Sequence, residues 1–476
     1  MTPTFSETAQ GLKKTLSFKT LNELQLDHVT GQVWRKQDEP PRRPRDLEQL
    51  LVHAVANAGR AFGLAWSIRT CISLVFAILG LIKKRKLKGA VIVNALLGEE
   101  SIRFGSMFGA FVFLWKTSFH GLRLFNPGPK GPGRIEPWHA PLAGAISGLA
   151  VLAEKKANRI TVSQQLFVRG LQGMYNIAHK RGLVNIPHGD VLLFGLSCGQ
   201  IMYGWLISPE SLPKWYNQWI SNASQLPFDF IEYNVARKRT PNVLPPLKNA
   251  EKILQWERTT PYHRRTLANM VDKMKQGDYG YPFAPCQLTH PHIDSCVWAR
   301  VDKFRAVFQW MIPAYAALHF IPPILFKRKQ FFKDPSTQLT RSLLGTLRSS
   351  SFLSTFVVIV EVFVCFNRNA YIEIVQYLPK SIQKIWLSKY YYWLAGFATC
   401  LSMFVEEKKR PMYVLPKALE SLWNNGRKRG HVPFIPGGEV ILASGALAMV
   451  MGTYQRDPAS LSGLVRSILY QFIGRS

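Results

Sequence analysis

Residues 142–154 read LAGAISGLAVLAE and residues 394–406 read LAGFATCLSMFVE, and each stretch runs into a lysine pair within two residues. Further on, His179-Lys180-Arg181-Gly182 leads to Ile186-Pro187-His188-Gly189-Asp190-Val191. In the other half, Arg427-Lys428-Arg429-Gly430 leads to Ile435-Pro436-Gly437-Gly438-Glu439-Val440. Agreement at separate places in the same order means that the 476-residue chain holds two copies of one unit, offset by about 250 residues. Each copy must therefore bury the same pattern of apolar faces.

The repeated pieces are apolar. Eight such segments run roughly 62–82, 104–125, 141–153, 191–207, 304–326, 351–366, 391–405 and 440–454. Several are shorter than the about 20 residues that a helix needs to cross a bilayer. Basic clusters abut them: Lys83-Lys84-Arg85-Lys86, Lys155-Lys156, Lys327-Arg328-Lys329 and Lys408-Lys409-Arg410. Trp115, Trp205, Tyr390, Tyr391, Tyr392, Trp393 and Tyr454 lie at or near segment ends. Charge at the boundaries and aromatic rings beside it mark membrane interfaces. The net charge of +31 is thereby explained without a nucleic-acid partner. With 47% hydrophobic residues the chain is not a disordered one. The expected architecture is an all-α membrane protein of two pseudo-repeated four-helix units, about eight short transmembrane helices in all, with amphipathic helices beside them. Their boundaries are placed at 1–50 for a polar basic arm, 51–220 for the first unit, 221–285 for a polar linker and 286–476 for the second.

Loops one and three of each copy carry most of the lysine and arginine, six in 83–103 and six in 154–187 against two in 126–140. They are expected on the side that retains positive charge, with both termini opposite. The amphipathic stretch 160–178 is expected either to pack on its own bundle or to lie flat in the interface.

Small residues recur every fourth position inside the segments. Gly105 and Gly109, Gly144 and Gly148, and Gly195 and Gly199 are each G-x-x-x-G. Four residues return to the same helix face, where a missing side chain lets backbones approach. Ionisable residues inside apolar segments are costly and are functional candidates: Arg69, Lys116, His120 and Glu361. Glu361 either lines a polar path or pairs with Arg69, and Lys116 and His120 lie near enough to a segment end to reach an interface. Asp190 and Glu439 stand at matching helix starts, where an acid meets the dipole favourably.

Cys286, His290, His292 and Cys296 are the one cluster of metal-ligand types. Two thiolates and two imidazoles suit zinc, although the spacing matches no standard finger. A Cys286–Cys296 disulfide and plain structural residues at the start of the second copy are the alternative readings, the structural one foremost. Cys71, Cys198, Cys365 and Cys400 lie in apolar runs as small hydrophobes. Glycine-rich phosphate loops and H-E-x-x-H are absent, and no enzyme activity is expected.

The glycine-bearing span 105–125, the stretch 142–153, the Ile-Pro-His-Gly-Asp turn before Val191 and the His-Pro…Ser-Cys element at 290–296 resemble the transmembrane protein 135 family. That family stands near the mitochondrial inner-membrane translocase subunits and the 24-kDa peroxisomal membrane protein. The resemblance covers roughly 55–220 and 285–470. It implies a multi-pass protein of peroxisomal or mitochondrial membranes, with translocase-like units, acting in lipid or metabolite transport or in organelle dynamics. The expected partners are the bilayer, a second copy or organelle-dynamics proteins, with a scaffold that recruits division or tethering factors as the competing role and a lipid-modifying enzyme behind it. The family's cysteine-rich element is only partly reproduced, and no catalytic residue is carried over.

Overall fold

The computed structural model describes residues 44–84, 98–126, 132–226, 228–240, 243–244, 247–326, 332–405 and 411–474, with single positions 93 and 96. The N-terminal arm up to residue 43 and most of the basic clusters at 85–88, 327–329 and 408–410 lie outside the described residues. The described chain is all-helical, without a strand.

In chain order the first copy holds α1 (Leu47–Lys84), α2 (Glu99–Leu124), α3 (His139–Ser147), α4 (Lys156–Lys180), α5 (Gly189–Ile207) and α6 (Lys214–Ser224). Three helices follow: α7 (Phe228–Arg239), α8 (Leu247–Gln255) and α9 (Pro261–Lys275). The second copy runs through the one-turn α10 (Cys286–Thr289), α11 (Cys296–Phe326), α12 (Pro335–Glu373), α13 (Lys380–Trp386), α14 (Tyr390–Ala398), α15 (Pro411–Lys428), α16 (Gly438–Arg456) and α17 (Gly463–Ile473).

The copies agree in detail. α3 continues as a 3-10 helix, Gly148–Ala153, and α14 as another, Thr399–Phe404. α5 and α16 are both 19 residues long. Each begins after a left-handed residue, His188 (φ 53°) in one and Gly437 (φ 68°) in the other. The 3-10 turns Pro209–Ser211 and Pro458–Ser460 follow, then α6 and α17, both of 11 residues. Asp190 and Glu439 sit in the first turns of α5 and α16.

The packing units do not follow chain order. The described residues up to Asn185 join Ile435 onward in one compact unit, and Ile186–Phe434 form the other. In the first unit α16, the last long helix of the second copy, packs on α3 and α4. In the second unit α5, the corresponding helix of the first copy, packs on α14 and α15. The copies have thus exchanged their fourth helices.

Glycines set these crossings. A Cβ on Gly144 would lie 2.5 Å from the Leu447 carbonyl oxygen, and one on Gly148 2.4 Å from Ser444 Cα. In the second unit, Cβ atoms on Gly195 and Gly199 would meet Phe397 and Trp393, and one on Gly396 would lie 2.6 Å from the Cys198 carbonyl oxygen. Gly105 and Gly109 face Phe62 and the Ala58 carbonyl across the α1–α2 contact.

α4 buries Ser163, Gln164, Val168, Gly170 and Gly173 against α16 and leaves Leu171, Met174 and Tyr175 exposed. Its close-packed face is the small one, and its large apolar residues point outward. The stretch expected as a polar linker is built into the second unit. Phe230, Ile231 and Tyr233 of α7, Ile253 of α8 and Leu267, Val271 and Met274 of α9 join the same core as α5. These positions recur at helical spacing within polar sequence, so each helix buries one stripe.

Two described helices, Gly189–Ile207 and Pro335–Glu373, are long and apolar enough to cross a membrane. The other six segments are also helical, but among the described residues none reaches that combination of length and apolarity.

Candidate functional site

Polar chemistry and an apolar cavity meet in the second unit. Pro285 starts the one-turn α10 with Cys286 at its first position and His290 at its C-cap. Six residues on, Cys296 opens α11. One ligand atom from each of Cys286, His290 and Cys296 lies within 4.8 Å of the others, a group that can hold a metal ion.

α12 places beside Cys286 a third thiol, Cys365, that sequence reading assigned to the apolar core. Cys365 Sγ lies 3.7 Å from Cys286 Sγ, while Cys296 Sγ lies 3.5 Å from His290 Nε2. Two thiolates bound tetrahedrally to one zinc at about 2.3 Å stand about 3.8 Å apart, and a thiolate and an imidazole nitrogen about 3.6 Å. The two separations therefore have the size of edges of a zinc tetrahedron. His290 Nδ1 lies 2.8 Å from the Ile293 carbonyl oxygen. That carbonyl accepts a hydrogen bond only if Nδ1 carries the proton, which leaves the Nε2 lone pair for the sulfurs. Asn369 donates to Cys365 Sγ from 3.8 Å.

His292 stands apart from this group. Its Nε2 is 3.0 Å from Asp302 and its ring meets Trp256 edge-on. Only Pro291 separates it from His290, and the turn sends the two imidazoles to different neighbours. All six cysteines are free thiols, Cys286 and Cys296 included. The nearby Cys296 and Cys365 thiols hold the Cys286 thiol well below the usual range, against the effect of burial. The Cys296 thiol is pushed up by the neighbouring Cys286 and by burial.

Beside the cluster is a cavity of about 490 Å³. Phe194 and Trp205 of α5, Trp219 of α6, Met311 of α11 and Phe352 and Phe356 of α12 form part of its apolar wall. Its polar lining consists chiefly of Cys286, His290, Arg300, Glu361, Cys365 and Arg368. Glu361 is buried and paired with Arg300, with Lys303 Nζ 3.7 Å away. Arg69 instead bonds Glu100 at 2.8 Å in the other unit, so each of the two expected partners has found a nearer ion.

Lys116 and His120, expected to reach an interface, are buried in α2, 2% and 1% exposed. The His120 ring stands edge-on to His53 and Phe119. They line no part of the cavity. Sequence reading missed Cys365 and Arg368, yet a signal was present. Glu361, Cys365 and Arg368 fall at i, i+4 and i+7, one face of a helix that runs on past the end of the apolar segment.

No protein-family model matches the chain, and no solved structure matches it.

Proposed function

We propose that this chain is a multi-pass membrane protein of the peroxisome or mitochondrion that handles lipid-related metabolites, moving them across or along the bilayer without itself being an enzyme. The cavity in the second unit carries this reading. Its volume lies within the about 300–1,000 Å³ of small-molecule sites, and such sites are apolar with a few polar groups. Both helices long enough to span contribute to its wall.

The outer faces support a lipid surrounding. Leu343, Leu344 and Leu347 on α12 and Leu318 and Ile321 on α11 are exposed. Contiguous apolar surface of this kind needs a membrane or a partner to cover it. The matching α3 and α14, each continuing into a 3-10 stretch and packed through glycine within its own unit, support the eight-span, translocase-like arrangement and the resemblance to the transmembrane protein 135 family. Zinc is the metal we assign to Cys286, His290 and Cys296, with Cys365 as fourth ligand in place of His292. Four protein ligands make a closed, structural site that ties α10 and α11 to α12.

Reconstitution of the full-length protein in liposomes with labelled fatty acid, sterol and small polar solutes tests the transport reading. Faster lipid flux is expected, and Ala314→Phe, which adds a ring at the cavity wall, should lower it. Lipid flux equal to that of protein-free vesicles would refute the proposal.

A further inference from the structure

Arg368 is 2% exposed and lines the cavity. One of its amino groups, Nη1, donates to Thr289 Oγ1 at 3.0 Å, and its guanidinium lies 5.2 Å from the Phe230 ring centre. Nε and Nη2 have no hydrogen-bond partner. No carboxylate among the described residues forms an ion pair with it, and Glu361, the acid on the same wall, is held by Arg300 and Lys303. A guanidinium stays charged at every physiological pH, and a buried charge without a counter-ion is strongly unfavourable.

The two unsatisfied nitrogens are not an arbitrary pair. The N–H of Nε and one N–H of Nη2 point the same way and form the side edge of the guanidinium. Carboxylates and phosphates take that edge with two parallel hydrogen bonds. Nearby charge adds to the case. Lys238 is buried, 5.5 Å from the ring centre of Tyr392, which also lines the cavity. Burial first, then Arg368, pushes its ammonium down to about 8. Among carboxylates the lining holds Glu361 alone against Arg300 and Arg368, while Arg368 also acts on the neighbouring Cys286 thiol and lowers it.

Resting on the reading of the cavity as a lipid site, we propose that it takes a single-chain amphiphile with an anionic headgroup, which Arg368 grips through Nε and Nη2. The chain lies among the aromatic and aliphatic walls. The cavity of about 490 Å³ is of the size that sites for small amphiphilic molecules have.

The test is equilibrium binding of tritiated palmitate to the purified full-length protein in a non-ionic detergent. Hexadecanol, methyl palmitate and hexadecyl phosphate serve as competitors, and metal content is measured on the same samples. Palmitate and hexadecyl phosphate should compete at least tenfold better than the two neutral probes. Arg368→Gln should lower palmitate to the level of hexadecanol, and Arg368→Lys should restore part of the difference. The ranking of palmitate against hexadecyl phosphate then tells a free carboxylate from a phosphate headgroup. Equal binding of charged and neutral probes by the wild-type protein would overturn the headgroup assignment and leave the lipid cavity standing. Binding of no probe would sink both. Loss of discrimination in Arg368→Gln only together with loss of metal would also overturn it, because the arginine would then act through the thiol cluster.

Discussion

Gly144 offers the sharpest test of the helix crossing in the first unit. A methyl group there would sit 2.5 Å from the Leu447 carbonyl oxygen and 3.0 Å from Ala448 Cα. Both are backbone atoms, so no side-chain rotation relieves the contact and α3 must move away from α16. Forcing extra atoms into a packed contact costs about 1–3 kcal/mol. Replacing glycine by alanine in a helix returns about 0.5–1 kcal/mol, so Gly144→Ala should lose roughly 1–2 kcal/mol. Gly445 is the internal control: it lies on α16 itself, and a Cβ there meets nothing within 4 Å. Gly445→Ala should therefore gain up to about 1 kcal/mol from helix propensity alone. In a domain of this size each kcal/mol moves the midpoint by about 2–4 °C. Thermal unfolding in detergent, followed by tryptophan fluorescence, should place Gly144→Ala about 2–8 °C below wild type and Gly445→Ala at or slightly above it. Equal midpoints for the two variants would refute the crossing.

Glu361→Gln leaves Arg300 and Lys303 buried without their acid. It should cost about 3–5 kcal/mol, as other broken buried pairs do, and chemical denaturation of the purified variant measures it. Metal analysis of protein purified under reducing conditions should give one zinc per chain. Cys365→Ser should lose it as readily as Cys286→Ser, while His292→Ala keeps it. Burial raises the Glu210 carboxyl, but hydrogen bonds from Lys428 and Arg239 outweigh that and hold it at about 2. Between pH 4.5 and 2 the unfolded chain takes up this proton before the folded one, so the contribution present above 4.5 fades as pH falls. An acid titration of stability should be flatter in that window for Glu210→Gln than for wild type.

Much of the repeat was legible because glycine spacing and turn residues are local signals. The Ile-Pro turns, the left-handed position after them and the matched lengths of α5 and α16 all rest on neighbours in sequence. Which copy each fourth helix joins was not legible. The two copies carry near-equivalent faces, so α5 fits α3 of its own copy and α14 of the other by the same pattern, and periodicity alone cannot choose. The cysteine and histidine group shows the converse limit. Cys286, His290 and Cys296 are close in sequence and were found together. Cys365 lies 79 residues from Cys286 and reaches the group only through the pairing of α11 with α12. His292 was included because spacing counts residues, whereas the turn at Pro291 decides where a ring points.

The exchange of fourth helices has a consequence that chain order would not produce. A cut between residues 240 and 247, after α7, yields two fragments that each contain one whole copy. Neither contains one whole packing unit. The first fragment lacks α16, which supplies Ala446, Leu447, Val450 and Met451 to the faces of α3 and α4. It also carries α5 with Phe194, Cys198, Ile201 and Met202, whose packing partners α14 and α15 are in the second fragment. Glycine-lined faces built for backbone contact gain little from lipid, because acyl chains cannot follow a groove that narrow. Each fragment expressed alone should therefore aggregate or be degraded. Expressed together, they should co-purify one to one without a covalent link and show a single unfolding transition near that of the intact chain. Were copies to pack within themselves, each fragment would fold alone. Monodisperse, cooperatively unfolding 1–240 in the absence of its complement is the result that would refute the exchange.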